Sequence, residues 1–266
     1  MVYDVIIIGA GPAGVTAAVY LKRADINVLV LYKDSGSLGY STIDNMYSYG
    51  SIKGSDLFEK GLDQLKENDI EVIKTEVLSI NQMEDFNVFT VGGEFHSKNI
   101  IIASGINKSL LKPMYQKYLG FGVSTCAFCD GPFFKKKKVW VTGKSPYLEN
   151  LINELKYFTQ DIEVIDEDSI VSLIGDENLE RILLKDGSII DVTNLFVALP
   201  LGASSLSSNL GVMTDSKNNI KVDENMRTNI PHVYAVGDCI DGVRQVSKAM
   251  YDGMRAAYAL IKEIKG

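Results

Sequence analysis

Six residues near the N-terminus, Gly9-Ala10-Gly11-Pro12-Ala13-Gly14, restrict the fold of this chain more than any other segment. They follow Val5-Ile6-Ile7-Ile8, an unbroken β-branched run of the kind that forms a strand buried on both faces of a parallel sheet. Behind them Ala13 to Ala24 is rich in helix formers, and Ile26 to Leu31 reads as a second strand. Strand, glycine turn, helix and strand make a βαβ unit. Within it Gly9 permits the tight turn, Gly11 lets the backbone approach a pyrophosphate, and Gly14 allows close helix–strand packing. The helix N-terminus then offers free N–H groups to the phosphate oxygens of a dinucleotide. An acidic ribose partner at the end of the second strand is missing. Tyr32 and Lys33 stand there, with Asp34 just beyond.

The second chemical feature is Ser124-Thr125-Cys126-Ala127-Phe128-Cys129-Asp130-Gly131. Two cysteines separated by two residues can close a small disulfide and reopen it. Asp130 is a carboxylate placed to take or return the proton that dithiol chemistry requires. Half of a zinc site is the alternative. With Cys239, His96 and His232 as the remaining ligands of that kind, a four-ligand set is poorly supplied, so the reading is a redox dithiol with no metal.

Composition narrows the class. A chain of 266 residues, 46% hydrophobic, buries one large core or two modest ones. Three cysteines are too few for a secreted disulfide scaffold, and the N-terminus lacks the basic start and cleavage site of a signal peptide. No apolar run reaches membrane-spanning length, and a net charge of −7 argues against a general nucleic-acid binder. The expectation is a cytoplasmic protein with neither membrane nor nucleic acid as partner.

Further along, Lys98 to Gly105 reads as a strand and glycine turn, and His232 to Val236 as a short buried strand ending at Gly237-Asp238. An amphipathic helix is expected from about Arg244 to Ile264. The stretch from roughly Leu110 to Gly202 carries the two cysteines and a β-rich pattern of its own.

In order along the chain, Gly9 to Gly14, Ala103-Ser104-Gly105, Cys126 to Gly131, and Gly237-Asp238 followed by Arg244-Gln245-Val246 resemble the low-molecular-weight thioredoxin reductase family. The resemblance implies an α/β, two-domain thioredoxin-reductase-like fold and a homodimer. A discontinuous Rossmann-type FAD domain would take residues 1–108 and 205–266. A shortened, nicotinamide-domain-like central domain carrying the dithiol would take residues 109–204. It implies that Cys129 faces the flavin, Cys126 attacks the partner disulfide and Asp130 handles the proton. The implied FAD contacts are Gly9, Gly11, Pro12, Ala13, Gly14, Tyr32, Lys33, Gly36, Asn45, Ala103, Gly105, Gly237, Asp238, Arg244, Gln245 and Val246.

One part departs from the family. A second βαβ unit opens at Lys138-Val139-Trp140-Val141-Thr142-Gly143, where these reductases bind NADPH. Its turn reads Gly143-Lys144-Ser145-Pro146-Tyr147-Leu148, so only the first fingerprint glycine remains. Ser145 puts a side chain where backbone meets pyrophosphate, and Leu148 a bulky group where the helix packs close. After the strand Ile162 to Ile165 comes Asp166-Glu167-Asp168, which repels a 2′-phosphate instead of holding it. In these respects the chain resembles the ferredoxin-dependent flavin thioredoxin reductases, a pyridine-nucleotide-independent branch. That resemblance implies electrons passing from reduced ferredoxin through FAD and the Cys126–Cys129 dithiol to thioredoxin. Three other readings stay open: a dithiol oxidase running the same parts toward O₂, an NADPH thioredoxin reductase with a degenerate site, and a flavin-bound sensor without turnover.

Lys135-Lys136-Lys137-Lys138 is the strongest positive run, and reads either as a dock for an acidic carrier or thioredoxin or as a solvated turn. Cys239 reads as a small packing residue and Phe133-Phe134 as core. Tyr251 stands where the family has a small residue near the flavin, and either covers the isoalloxazine or packs.

Overall fold

A computed structural model describes residues 1–107, 111–199 and 210–266. The chain forms two compact units, Met1–Asn107 with Gly202–Gly266, and Lys108–Leu201. The boundaries expected at 108/109 and 204/205 lie outside the described residues.

The first unit begins with β1 (Val2–Ile8), α1 (Pro12–Lys22) and β2 (Val28–Tyr32). β1 pairs in parallel with β2, Ile6 opposite Leu29. Val5, Ile6 and Ile7 are completely buried, as the β-branched run demands of a central strand. The helix stops two residues earlier than the sequence pattern suggested, because Asp25 turns through a left-handed conformation (φ 54°). A short hairpin, β3 (Thr42–Ile43) and β4 (Ile52–Lys53), leads into α2 (Gly54–Glu67). That helix buries Phe58, Leu62 and Leu65, spaced to lie on one face.

β5 (Glu71–Lys74) adds to the edge of β2. The antiparallel meander β6 (Val77–Gln82), β7 (Phe86–Thr90) and β8 (Gly93–Ile102) follows. β8 is long enough to serve two neighbours along one edge. Its first half pairs with β7, and its second half is left for a strand from the far end of the chain.

The second unit contains α3 (Pro113–Lys117), β9 (Val123–Ser124), α4 (Ala127–Asp130), β10 (Val139–Gly143), α5 (Tyr147–Leu155) and β11 (Ile162–Val164). A three-stranded antiparallel sheet, β12 (Ile170–Ile174), β13 (Arg181–Leu184) and β14 (Ile189–Asp191), precedes β15 (Leu195–Ala198). The parallel sheet runs in the order β11-β10-β15-β9. Val139 and Val141 of its central strand pack with Leu151 and Leu155 of α5 into a second core.

The chain re-enters the first unit at β16 (Val233–Ala235) and ends in α6 (Val246–Lys265). β16 pairs in parallel with the free half of β8, Ala235 opposite Ile102, while Ile102 also stands opposite Ile8 of β1. Three strands therefore end level, and the turns that follow them leave the same edge of the sheet side by side. α6 packs on α1 through a seam of small residues that includes Ala13, Ala17, Gly253, Ala256 and Ala257.

Candidate active site

The carboxyl edge of the first sheet brings together motifs more than two hundred residues apart in sequence. Gly9 leaves β1 with φ 116°, a backbone conformation that side-chain-bearing residues rarely adopt. A Cβ there would strike the carbonyl oxygen of Ala103, so the first turn lies against the Ala103-Ser104-Gly105 turn after β8. A Cβ on Gly14 would strike the carbonyl oxygen of Gly9, which folds α1 tightly back onto its own strand. Gly11 is different. Its backbone is extended, it caps α1 without any side-chain hydrogen bond, and an added Cβ would meet nothing within 4 Å. Pro12 occupies the first helical turn, where its missing N–H costs nothing.

On the other side of the same edge, Gly237-Asp238-Cys239 forms a 3₁₀ turn after β16. The Asp238 carboxylate accepts no hydrogen bond among the described residues. Burial pushes its carboxyl above the usual range, opposed by Arg244 and Lys248 and reinforced by the charge of Asp252. Cys239 is fully buried, its thiol raised to about 12 by burial, which suits an inert packing residue. α6 starts two residues later than its periodicity suggests, with Gln245 as an extended N-cap. Arg244 and Gln245 thus precede the helix, and Val246 is its first residue. The Gln245 carboxamide oxygen accepts a 2.8 Å hydrogen bond from Asn45 Nδ2, joining the loop ahead of β4 to the start of α6.

Tyr32 ends β2 and Lys33 follows it. Tyr32 packs edge-on against Phe58, and Lys33 pairs with Glu76 at 2.7 Å. Gly36 donates its N–H to Asp34 in the next turn. Tyr251 on α6 is 52% exposed and so does not serve the core.

In the second unit Cys126 and Cys129 are joined by a disulfide, with Cα atoms 5.3 Å apart and both residues half-buried. Cys126 is the N-cap of α4. Its sulfur accepts a 3.1 Å hydrogen bond from the Cys129 N–H, and its own N–H is held by Ser124 Oγ at 3.1 Å. Asp130 closes this single turn. Phe134 packs edge-on against Phe196, but Phe133, read as core, is 49% exposed. Phe128, between the cysteines, is also exposed.

The second glycine turn, after β10, has a different character. A Cβ on Gly143 would strike the Ala198 carbonyl oxygen, so the turn itself is preserved. Yet Ser145 donates a 2.8 Å hydrogen bond to Glu149, whose carboxylate lies in the first turn of α5. Beyond β11, Asp166 caps a 3₁₀ turn, and Glu167 is buried in a 2.9 Å ion pair with Lys112. The Lys112–Glu167 pairing was not legible in the sequence, because a salt link between residues so far apart leaves no spacing signal.

Residues 3–146 and 150–253 match the family described as pyridine nucleotide-disulphide oxidoreductase. This chain belongs to that family. Among its thioredoxin reductases, that of Aquifex aeolicus is 32% identical over 100% of this chain and 94% of its own length. That of Listeria innocua is 31% identical over 99% and 95%. The crystal structure of thioredoxin reductase from Streptococcus pyogenes superposes with a TM-score of 0.85 at 26% identity, covering 99% of this chain and 98% of the other. The chain is thus a member of the low-molecular-weight thioredoxin reductase family, with its two-domain fold. The Listeria alignment runs over 307 positions against a chain of 266, so the relative has segments that this chain lacks.

The family's members are FAD flavoproteins, and FAD is the cofactor here. The first unit fits it. Gly11 leaves open room at an uncapped helix N-terminus, as a pyrophosphate requires. Asp238 supplies a partly buried acceptor without a hydrogen-bonded partner among the described residues.

Proposed function

We propose that this chain is a cytoplasmic, homodimeric, ferredoxin-dependent thioredoxin reductase. The first unit holds FAD through Gly9 to Gly14, Ala103, Gly105, Asn45 and the Gly237-to-Val246 segment, and the second carries the dithiol. FAD supplies one chemical property, accepting electrons singly and releasing them in pairs.

The protein's own residues perform the exchange with thioredoxin. In the reduced form the Cys126 thiolate, favoured by the Cys129 N–H, attacks one sulfur of the thioredoxin disulfide. A mixed disulfide forms, and the displaced thioredoxin sulfur leaves as a thiolate that takes a proton. Cys129, deprotonated by Asp130, then attacks the Cys126 sulfur. The Cys126–Cys129 disulfide closes and the second thioredoxin sulfur is released and protonated. Two electrons and two protons pass to thioredoxin, and the enzyme's disulfide must receive the same number to begin again.

The observation that carries the choice of donor is the Ser145–Glu149 pair. It sets a carboxylate in the first turn of α5, where the helix dipole would otherwise favour a pyrophosphate. Asp166 and the ion-paired Glu167 follow β11, where a 2′-phosphate needs cations. One observation favours a second reading, NADPH dependence: the Gly143 turn keeps the close approach to Ala198 that a dinucleotide fingerprint requires.

Anaerobic titration separates them. Reduced ferredoxin is expected to bleach the flavin within seconds, and NADPH and NADH to leave it oxidised. Rapid bleaching by NADPH overturns the proposed donor, and bleaching by a dithiol alone, followed by reoxidation in O₂, identifies a dithiol oxidase.

A further inference from the structure

The first two turns of α6 contain an ion pair that none of the chemistry above uses. Lys248 lies in the first turn, where a cation opposes the helix dipole, and its side chain is 19% exposed. Asp252, one turn on, is buried, and its Oδ2 lies 2.9 Å from Lys248 Nζ. The ammonium group has three protons to donate and three acceptors around it. Besides Asp252 these are the carbonyl oxygens of Gly237 and Asp241, each at 3.2 Å. Asp252 Oδ2 in turn accepts the Gly237 N–H at 3.1 Å. Both polar groups of Gly237 are therefore held by one ion pair.

What they hold is a short 3₁₀ turn, closed on itself by the Ile240 N–H, which donates to the same Gly237 carbonyl at 3.3 Å. Gly237 has φ 78° and no side chain, and it lies so near α1 that an added Cβ would come within 3.0 Å of the Ala13 Cβ. Asp238 follows directly, its carboxylate free of hydrogen bonds among the described residues. A Cβ on Gly253, next to Asp252, would strike the Ala13 carbonyl oxygen. The pair thus sits where α6, the Gly237 turn and the start of α1 meet, and α1 is the helix that begins at the glycine fingerprint.

We propose that Lys248 and Asp252 are positioning residues for FAD: their ion pair fixes the two polar groups of Gly237 and so holds the Asp238 carboxylate where it accepts a hydrogen bond from a hydroxyl of the cofactor. This rests on placing FAD at Asp238. Removing one partner of a buried pair leaves an uncompensated charge, whereas replacing both with apolar groups of similar volume is often tolerated. That asymmetry separates positioning from simple stability.

The test uses full-length apoprotein titrated with FAD, followed by flavin fluorescence and the shape of the visible absorption band, with thermal unfolding of each apoprotein alongside. Asp238→Asn and Asp252→Asn are each expected to weaken FAD binding about tenfold or more, as loss of a hydrogen bond to a charged group implies. Both are expected to alter the visible band. The double variant Lys248→Met with Asp252→Leu, which removes the uncompensated charge but still strands the Gly237 N–H, is expected to unfold closer to wild type than Asp252→Asn without recovering wild-type FAD affinity. It carries the test alone if Asp252→Asn does not fold. Wild-type affinity and spectrum in the double variant would show the pair to be structural only, and overturn the proposal. Weakened binding in Asp238→Asn with none in Asp252→Asn overturns the clamp and leaves Asp238 in its role. Wild-type binding in Asp238→Asn removes the placement of FAD at that carboxylate, and the clamp with it.

Discussion

At the scale of single residues, the two sulfurs of the disulfide are not equivalent. Cys126 caps α4 and its sulfur receives the Cys129 N–H, a contact that favours its thiolate on reduction. The difference suits Cys126 to attack an outside disulfide and Cys129 to resolve the mixed disulfide that results. Cys126→Ser is therefore expected to abolish thioredoxin reduction while FAD stays bound and reducible. Cys129→Ser is expected to stall at the mixed disulfide, which a non-reducing gel would display as an adduct with thioredoxin. Wild-type turnover in both variants would remove the dithiol from the reaction. Cys239 takes no part in this. Its thiol, raised to about 12 by burial, is almost wholly protonated at neutral pH and is expected to resist alkylation in the folded protein.

At the scale of elements, the glycines of the first βαβ unit and its partner helix divide by what surrounds them. Gly253 lets α6 touch the backbone of α1, and Gly253→Ala is expected to cost about 1–3 kcal/mol of stability by forcing the helices apart. Gly11 faces open space with an extended backbone that alanine adopts freely. Gly11→Ala is expected to leave the unfolding temperature of the apoprotein almost unchanged, since an N-cap tolerates this exchange at a few tenths of a kcal/mol or slightly more. Its effect is expected on FAD, through a methyl group set where backbone meets pyrophosphate. Equal loss of stability in the two apoproteins would count against a ligand role for Gly11. The contrast also shows what the sequence could reveal. The fingerprint was legible because its strand, turn and helix are contiguous and each follows a local rule. The antiparallel sheet β12–β14 was not singled out, because its strands are short and its alternation of polar and apolar residues is shallow. Lys248 and Asp252, four residues apart on α6, were not singled out in the sequence, where i,i+4 spacing of opposite charges is common on helix surfaces. Asp252 is buried and Lys248 reaches the carbonyls of the Gly237 turn, contacts that no local pattern reports.

At the scale of the whole molecule, charge poses a problem for the proposed donor. The chain carries a net −7, and an acidic ferredoxin would be repelled by its average field. Complementarity must therefore be local. Of the four consecutive lysines beside the dithiol segment, Lys138 is committed, paired with Glu163 at 3.2 Å and lying over the Trp140 ring. Lys135, Lys136 and Lys137 are exposed and make no ion pair among the described residues, and Lys136 has a left-handed backbone (φ 57°). Three uncompensated cations on one turn form a positive patch that survives within a Debye length of about 8 Å at physiological ionic strength. Steering by such a patch acts on the encounter rate more than on the bound complex. Lys136→Glu with Lys137→Glu is accordingly expected to slow flavin reduction by ferredoxin in stopped-flow at low salt. The deficit should shrink as salt is raised, while the rate of thioredoxin reduction by the pre-reduced enzyme stays the same. The opposite split, with only the thioredoxin step slowed, would assign the lysines to the acceptor and place the donor's dock elsewhere. A wild-type flavin that ferredoxin fails to reduce at any salt concentration removes the donor itself, and leaves the dithiol-oxidase direction as the one consistent with an acidified nucleotide turn.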